Sequence, residues 1–105
     1  MCKLNGLKEM ESMEFVKELD MLEGKYITVN VDGEISSLHN VESFNYYITT
    51  DVADIDWLVM EDENNPDEYI LRIYLDAVTA YQKDMISDAL LIVTESGMMI
   101  QLQEC

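Results

Sequence analysis

Basic side chains are what this sequence has least of. Lys3, Lys8, Lys17, Lys25, Arg72 and Lys83 stand against 22 Asp and Glu, a formal net charge of −16. Between Lys25 and Arg72 there is no base at all, while eleven carboxylates occupy the interval. A surface of that sign repels phosphate, which argues against direct binding to DNA, RNA or an anionic membrane. Cysteine is confined to Cys2 and Cys105, at the extreme ends. A disulfide between them would require the termini to meet, and nothing in the spacing demands it, so the expectation is a reduced, cytoplasmic chain. The opening MCKLNGLKEMESMEF has no apolar segment of the signal-peptide kind, and no apolar run approaches the ~18 residues of a membrane span.

The residues that organise common chemistries are equally sparse. There are four glycines in all, with no glycine-rich phosphate loop and no nucleophile elbow among them. The single histidine, His39, has no Cys or Ser nucleophile placed beside it by any catalytic motif. The segment Asp62-Glu63-Asn64-Asn65-Pro66-Asp67-Glu68 is rich in oxygen ligands but lacks the glycine and spacing of a calcium loop. Carboxylate pairs of the glycosidase kind arise by chance in any chain this acidic. The expectation is a protein that is not an enzyme, with no cofactor and no dedicated metal.

What is present is the makings of a core. Apolar residues are 49% of the chain, with eight Met and nine aromatics, far from the composition of a disordered acidic tail. A chain of 105 residues reads as one domain, 1–105, able to bury roughly two-thirds of its extended surface. Phe15, Val16, Leu19 and Leu22 recur at helical spacing before Gly24 and predict a helix over about 7–23. KYITVNVDGEISSL predicts a hairpin over about 25–38, with a three-residue loop Val31-Asp32-Gly33 setting Val29 opposite Ile35. SFNYYITT reads as a third strand. Val52, Ile55, Leu58 and Val59 suggest a short helix over 51–61, with a strand as the alternative. Asn65-Pro66-Asp67-Glu68 has the form of a helix start, and Arg72, Asp76, Thr79 and Lys83 then fall on one narrow polar stripe, which predicts a deeply buried helix over about 66–83. ALLIVTESGMMIQLQ predicts a second hairpin over about 89–103, its Glu95-Ser96-Gly97 loop placing Ile92 opposite Ile100 and Leu90 opposite Leu102. The sum is an α+β domain: an antiparallel sheet of about four to five strands packed on about three helices.

The stretch DVADIDWLVMEDENNPDE, residues 51–68, which spans the short predicted helix and the start of the next, has eight carboxylates and no base. Asp67 and Glu68 would sit at a helix N-terminus, where the dipole favours negative charge by roughly 0.3–1 kcal/mol. Asp51 and Asp54 would serve the preceding helix, and Glu61, Asp62 and Glu63 would lie in an open connection. Capping explains where these acids stand but not why bases are missing elsewhere, since mixed-sign surfaces are the ordinary route to solubility. Asp51, Asp54, Asp56, Glu61, Asp62, Glu63, Asp67 and Glu68 are therefore candidate partner-binding residues. Trp57 joins them as an anchor if it is exposed among the acids rather than buried in the core.

The partner that fits such a surface is a basic protein, and basic grooves belong above all to nucleic-acid-processing enzymes. Carboxylates recur on one strand face at about 7 Å and on one helix face at about 5–6 Å, spacings suited to arginines and lysines that otherwise grip a phosphate backbone. In length, net charge, base-free interval 26–71 and expected cytoplasmic character, the chain resembles small acidic inhibitors encoded by phages and mobile elements, DNA-mimic anti-CRISPR proteins among them. That class shares no fold. The resemblance implies a target such as a CRISPR effector nuclease and blockade of DNA access. Two other readings are an immunity or antitoxin protein that neutralises a basic nuclease toxin, and a housekeeping domain that is acidic without any electrostatic target.

Overall fold

A computed structural model describes residues 7–34, 36–65 and 67–104. Along these the chain forms β1 (Leu7–Met10), α1 (Ser12–Leu22), β2 (Ile27–Asp32), β3 (Ser37–Val41), β4 (Phe44–Thr50), β5 (Asp56–Asp62), β6 (Tyr69–Tyr74), a 3₁₀ turn at Leu75–Ala77, β7 (Val78–Asp84), β8 (Leu90–Thr94) and β9 (Met99–Glu104). The larger sheet has the order β1-β7-β8-β9-β2-β3 and the smaller one β4-β5-β6. All pairings are antiparallel. The expected α+β domain with three helices is thus corrected to nine strands in two sheets with one α-helix, among the described residues.

That helix keeps the predicted core stripe but starts later. Phe15 and Leu19 are buried, with Val16 and Leu22 partly so. Residues 7–10, expected to be its first turn, instead pair with β7 from Leu7↔Asp84 to Met10↔Tyr81. An otherwise open edge of the larger sheet offered those amides and carbonyls partners. Gly24 follows the helix with φ +79°, the left-handed conformation glycine adopts without a Cβ penalty. Its N–H donates to the Phe44 carbonyl, tying the helix end to β4. Phe15 packs on Tyr81 of β7 at 4.8 Å between ring centroids, and the Tyr46 hydroxyl of β4 donates to Asp20. The helix therefore bridges the two sheets.

Two predicted helices are strands, which for residues 51–61 is the alternative that the sequence leaves open. Residues 51–61 open as a turn in which Asp54 has φ +59°, incompatible with a helix interior, and Val52 is fully exposed. β5 then runs down the middle of the smaller sheet. As a central strand it hides Leu58 and Met60 in the core and Val59 beneath the side chains of its outer face, which is why its apolar run mimics a helix segment. Residues 66–83 form β6, the 3₁₀ turn and β7. There the β-branched and aromatic content of Tyr69-Ile70-Leu71-Arg72-Ile73-Tyr74 prevails over the helical spacing of its polar residues. Ile73 is buried while Arg72 and Tyr74 are exposed, the period-two pattern of a strand with one wet face. A helix apolar on nearly every side needs burial all round, and two sheets sharing one core leave no room for it. The start signal at Asn65 caps no helix, and Pro66 lies outside the described residues. Asp67 and Glu68 are exposed in the β5–β6 connection, with no helix dipole to favour them.

The hairpins divide. In the second, Ile92 faces Ile100 and Leu90 faces Leu102, with Gly97 left-handed at φ +86°, as predicted. The first is longer: Val29 pairs with His39 and Val31 with Ser37, so the three-residue loop does not form, and Ile35 lies outside the described residues. β2 is held on its other side by β9 from Ile27↔Glu104 to Asp32↔Met99. The observed register brings Ile27 beside Val41, both fully buried. One core cluster joins β2, β3, β8 and β9 to Phe44, Leu58, Met60 and Ile73 of the smaller sheet and to Phe15 and Leu19 of the helix.

Candidate protein-binding face

Pairing fixes which side chains share a face, because residues opposite one another in adjacent strands point the same way. In the smaller sheet, Leu58, Met60 and Ile73 point inward. The outer face is then read off the register: Thr49, Trp57 and Tyr74 in one row; Tyr47, Val59 and Arg72 in the next; Asn45, Glu61 and Tyr69 in the third. A register shift at Met60/Glu61 brings Tyr69 onto this face. Tyr47, Tyr69 and Tyr74 are 45%, 58% and 37% exposed, a concentration of large aromatics that a solvated sheet face does not require. The Arg72 guanidinium lies over the Trp57 ring at 4.2 Å and near the Tyr69 ring at 5.8 Å. Trp57 and Tyr74 are 5.6 Å apart between centroids.

Of the predicted site residues Trp57 and Glu61 lie on this face; Asp56 and Asp62, at the two ends of β5, take the opposite register with Leu58 and Met60, and the others stand in the flanking turns. At one end of β5, the Asp51 carboxylate accepts from the backbone N–H of Ala53 and Ile55 and from the Trp57 indole N–H at 3.0 Å. The indole bond above all, and then the backbone bonds, hold its pKa below the usual carboxylate range. The same bond fixes Trp57, which is half-buried and lies on the outer face, neither a core residue nor a bare anchor. Asp56 accepts from the Thr50 hydroxyl at 2.6 Å, and Asp54 projects from the turn. Asp76, next to the strand end, accepts from the Tyr74 hydroxyl.

The other end of β5 carries the second group, six strand steps or roughly 20 Å away. Asp62 accepts from the amides of Glu42, Ser43 and Asn64, and those bonds, Asn64's foremost, lower its pKa. Glu61 accepts from the Asn45 side-chain amide at 3.0 Å and Glu63 from the Ser43 hydroxyl at 3.0 Å. Asp67 and Glu68 stand in the connection just beyond.

The donors on both groups are neutral. They orient the carboxylates without cancelling their charge. The ion pairs among the described residues lie elsewhere: Lys8 with Glu14, Lys25 with Glu104, and Lys83 with Glu18 and Asp88. Within residues 42–76, ten carboxylates (Glu42, Asp51, Asp54, Asp56, Glu61, Asp62, Glu63, Asp67, Glu68 and Asp76) accompany one base, Arg72, and its guanidinium is stacked on aromatic rings.

Sequence reasoning missed Tyr47, Tyr69, Arg72 and Tyr74 as a group. Placing 66–83 on a helix turned Tyr74 away from Tyr69 and Arg72 and gave none of them a register with Tyr47. The available signal was the alternation Arg72-Ile73-Tyr74, which on a strand sends both polar-tipped side chains to one side. His39 sits in β3 with its Nε2 3.2 Å from the Ser37 hydroxyl. Among the described residues no three His, Cys, Asp or Glu side chains are grouped to hold a metal ion, and no helix is long and apolar enough to cross a membrane. No protein-family model matches the chain, and neither a curated protein nor a solved structure matches it.

Proposed function

We propose that this protein is a small acidic inhibitor that binds the basic surface of a nucleic-acid-processing protein and blocks its access to nucleic acid. The observation that carries this reading is the electrostatics of residues 42–76, where ten carboxylates accompany one base, six of them (Asp51, Asp56, Glu61, Asp62, Glu63 and Asp76) are oriented by neutral donors, and the base lies over an aromatic ring. Ten carboxylates held beside one base cost stability through self-repulsion. A cationic partner relieves that cost, and long-range attraction speeds the encounter. The two acidic groups, separated by the length of β5, would engage a cationic groove at two places rather than as one continuous strip.

The test has two steps. The chain is immobilised, exposed at low salt to lysate of the cell it comes from, and eluted with a salt gradient. A retained nucleic-acid-binding protein is then purified, and its binding to labelled duplex DNA or RNA is measured with and without the chain. The expected outcome is elution at moderate ionic strength and stoichiometric displacement of the nucleic acid. An empty eluate, or a captured protein that still binds nucleic acid in the complex, rejects the proposal.

A further inference from the structure

We infer that the outer face of β4–β6 is a docking surface for arginine side chains of a basic protein segment, with aromatic stacking added to charge attraction. This rests on the proposed function for the sign of the partner, and goes beyond it in naming the face and the preferred cation. The surface has two parts with different roles. Tyr47, Tyr69 and Tyr74 supply exposed ring faces. Asp51, Glu61 and Asp76 supply negative charge around them, each bonded to a neutral donor on or beside the same face: the Trp57 indole, the Asn45 amide and the Tyr74 hydroxyl.

Arg72 shows what this face does with a guanidinium. It forms no ion pair with the surrounding acids among the described residues, and its guanidinium carbon lies over the Trp57 ring at 4.2 Å from the centroid and over the Tyr69 ring at 5.8 Å. A planar, weakly hydrated guanidinium stacks on an aromatic ring and still offers N–H groups to carboxylates at the edge. A lysine ammonium is compact and strongly hydrated, and gains less from the rings. Arg72 lies over Trp57 and Tyr69, while Tyr47, 45% exposed, has no cation over its ring among the described residues and is open to an incoming arginine. A face that only needed solubility would carry charge without the tyrosines. A face built for an apolar partner would not keep carboxylates fixed at both its ends, because each would be buried against hydrocarbon.

The probes are octa-arginine and octa-lysine peptides, titrated into the 105-residue chain at fixed ionic strength. Trp57 is the only tryptophan and lies on the middle strand of the face with Arg72 over its ring, so its fluorescence reports occupancy there. Octa-arginine is expected to bind more tightly than octa-lysine and to change Trp57 emission. Y47S and Y69S, tested singly at exposed positions, are each expected to weaken octa-arginine about two- to five-fold while leaving octa-lysine unchanged. Far-UV circular dichroism and thermal midpoint establish that both variants are folded. Equal affinity for the two peptides, or tyrosine variants that weaken both alike or neither, overturns the aromatic face and leaves the acidic-inhibitor reading standing. If neither peptide binds at low salt, both readings fall.

Discussion

Asp62 shows how one side chain can hold a corner of the fold while keeping its charge. Its carboxylate gathers three backbone N–H groups, from Glu42 and Ser43 at the β3–β4 connection and from Asn64 in the β5–β6 connection. Removing the acceptor leaves three amides to water or to nothing, and side-chain caps of this kind contribute about 1 kcal/mol. D62A should therefore lower the urea midpoint by the equivalent of about 1–2 kcal/mol, with D62N in between because one oxygen remains. A variant as stable as the parent would mean that the corner is held by β-pairing alone. The acidic cluster was legible at this scale, since eight carboxylates in eighteen positions cannot be missed. The partner of each was not. Asp51 with Trp57, and Glu61 with Asn45, are contacts set by strand register and turn geometry, neither of which spacing in the chain reveals.

At the scale of elements, the correction of residues 66–83 has a direct test. In β6, an edge strand paired only with β5 among the described residues, amides should alternate between protected and unprotected in hydrogen exchange. A helix would protect a continuous run. Continuous protection from residue 69 to residue 83 would contradict the strand assignment. The misreading has a physical origin: local spacing and local composition disagreed, and the sheet arbitrated. β5 already presented free hydrogen-bonding groups on both sides, and filling both edges buried Ile73 against Leu58. The second hairpin and the stripe of Phe15 and Leu19 were legible because there the local and tertiary preferences coincide. Substitution of Phe15, fully buried between helix and β7, by Ala should cost about 3–5 kcal/mol, measured by denaturant unfolding; a loss under 1 kcal/mol would show that α1 is not a bridge between the sheets.

For the whole molecule, a net charge of −16 opposes the compact state at neutral pH. Salt screens that repulsion over a Debye length of about 8–10 Å. The thermal midpoint at pH 7 should accordingly rise between low salt and about 0.5 M NaCl, whereas binding to a basic partner should weaken over the same range. Acid acts in the opposite sense on specific groups. Asp51, Asp62 and Asp84 have lowered pKa values, from the indole and backbone bonds already described and, for Asp84, foremost from the Ile86 amide. Their contribution is fully present above the unfolded carboxylate value near 4 and disappears as pH falls through their lower folded values. Stability should hold or improve as pH falls from 7 to about 5 and decline below about 4, as these three carboxylates lose their bonds. A midpoint that falls steadily from pH 7 downward would show that self-repulsion is not the governing term.

Composition and order along the chain determined the sign of the surface, the apolar supply for a core, the one helix that survives and the tight hairpin at the end, because each depends on neighbours close in sequence. Tertiary structure alone decided that the middle of the chain is sheet, that its acids fall into two groups at the ends of β5, and that Arg72 lies over Trp57 and Tyr69 on the face that also carries Tyr47 and Tyr74. Those outcomes depend on register between strands that are distant in sequence, and a shift of one residue would have turned the same side chains into the core.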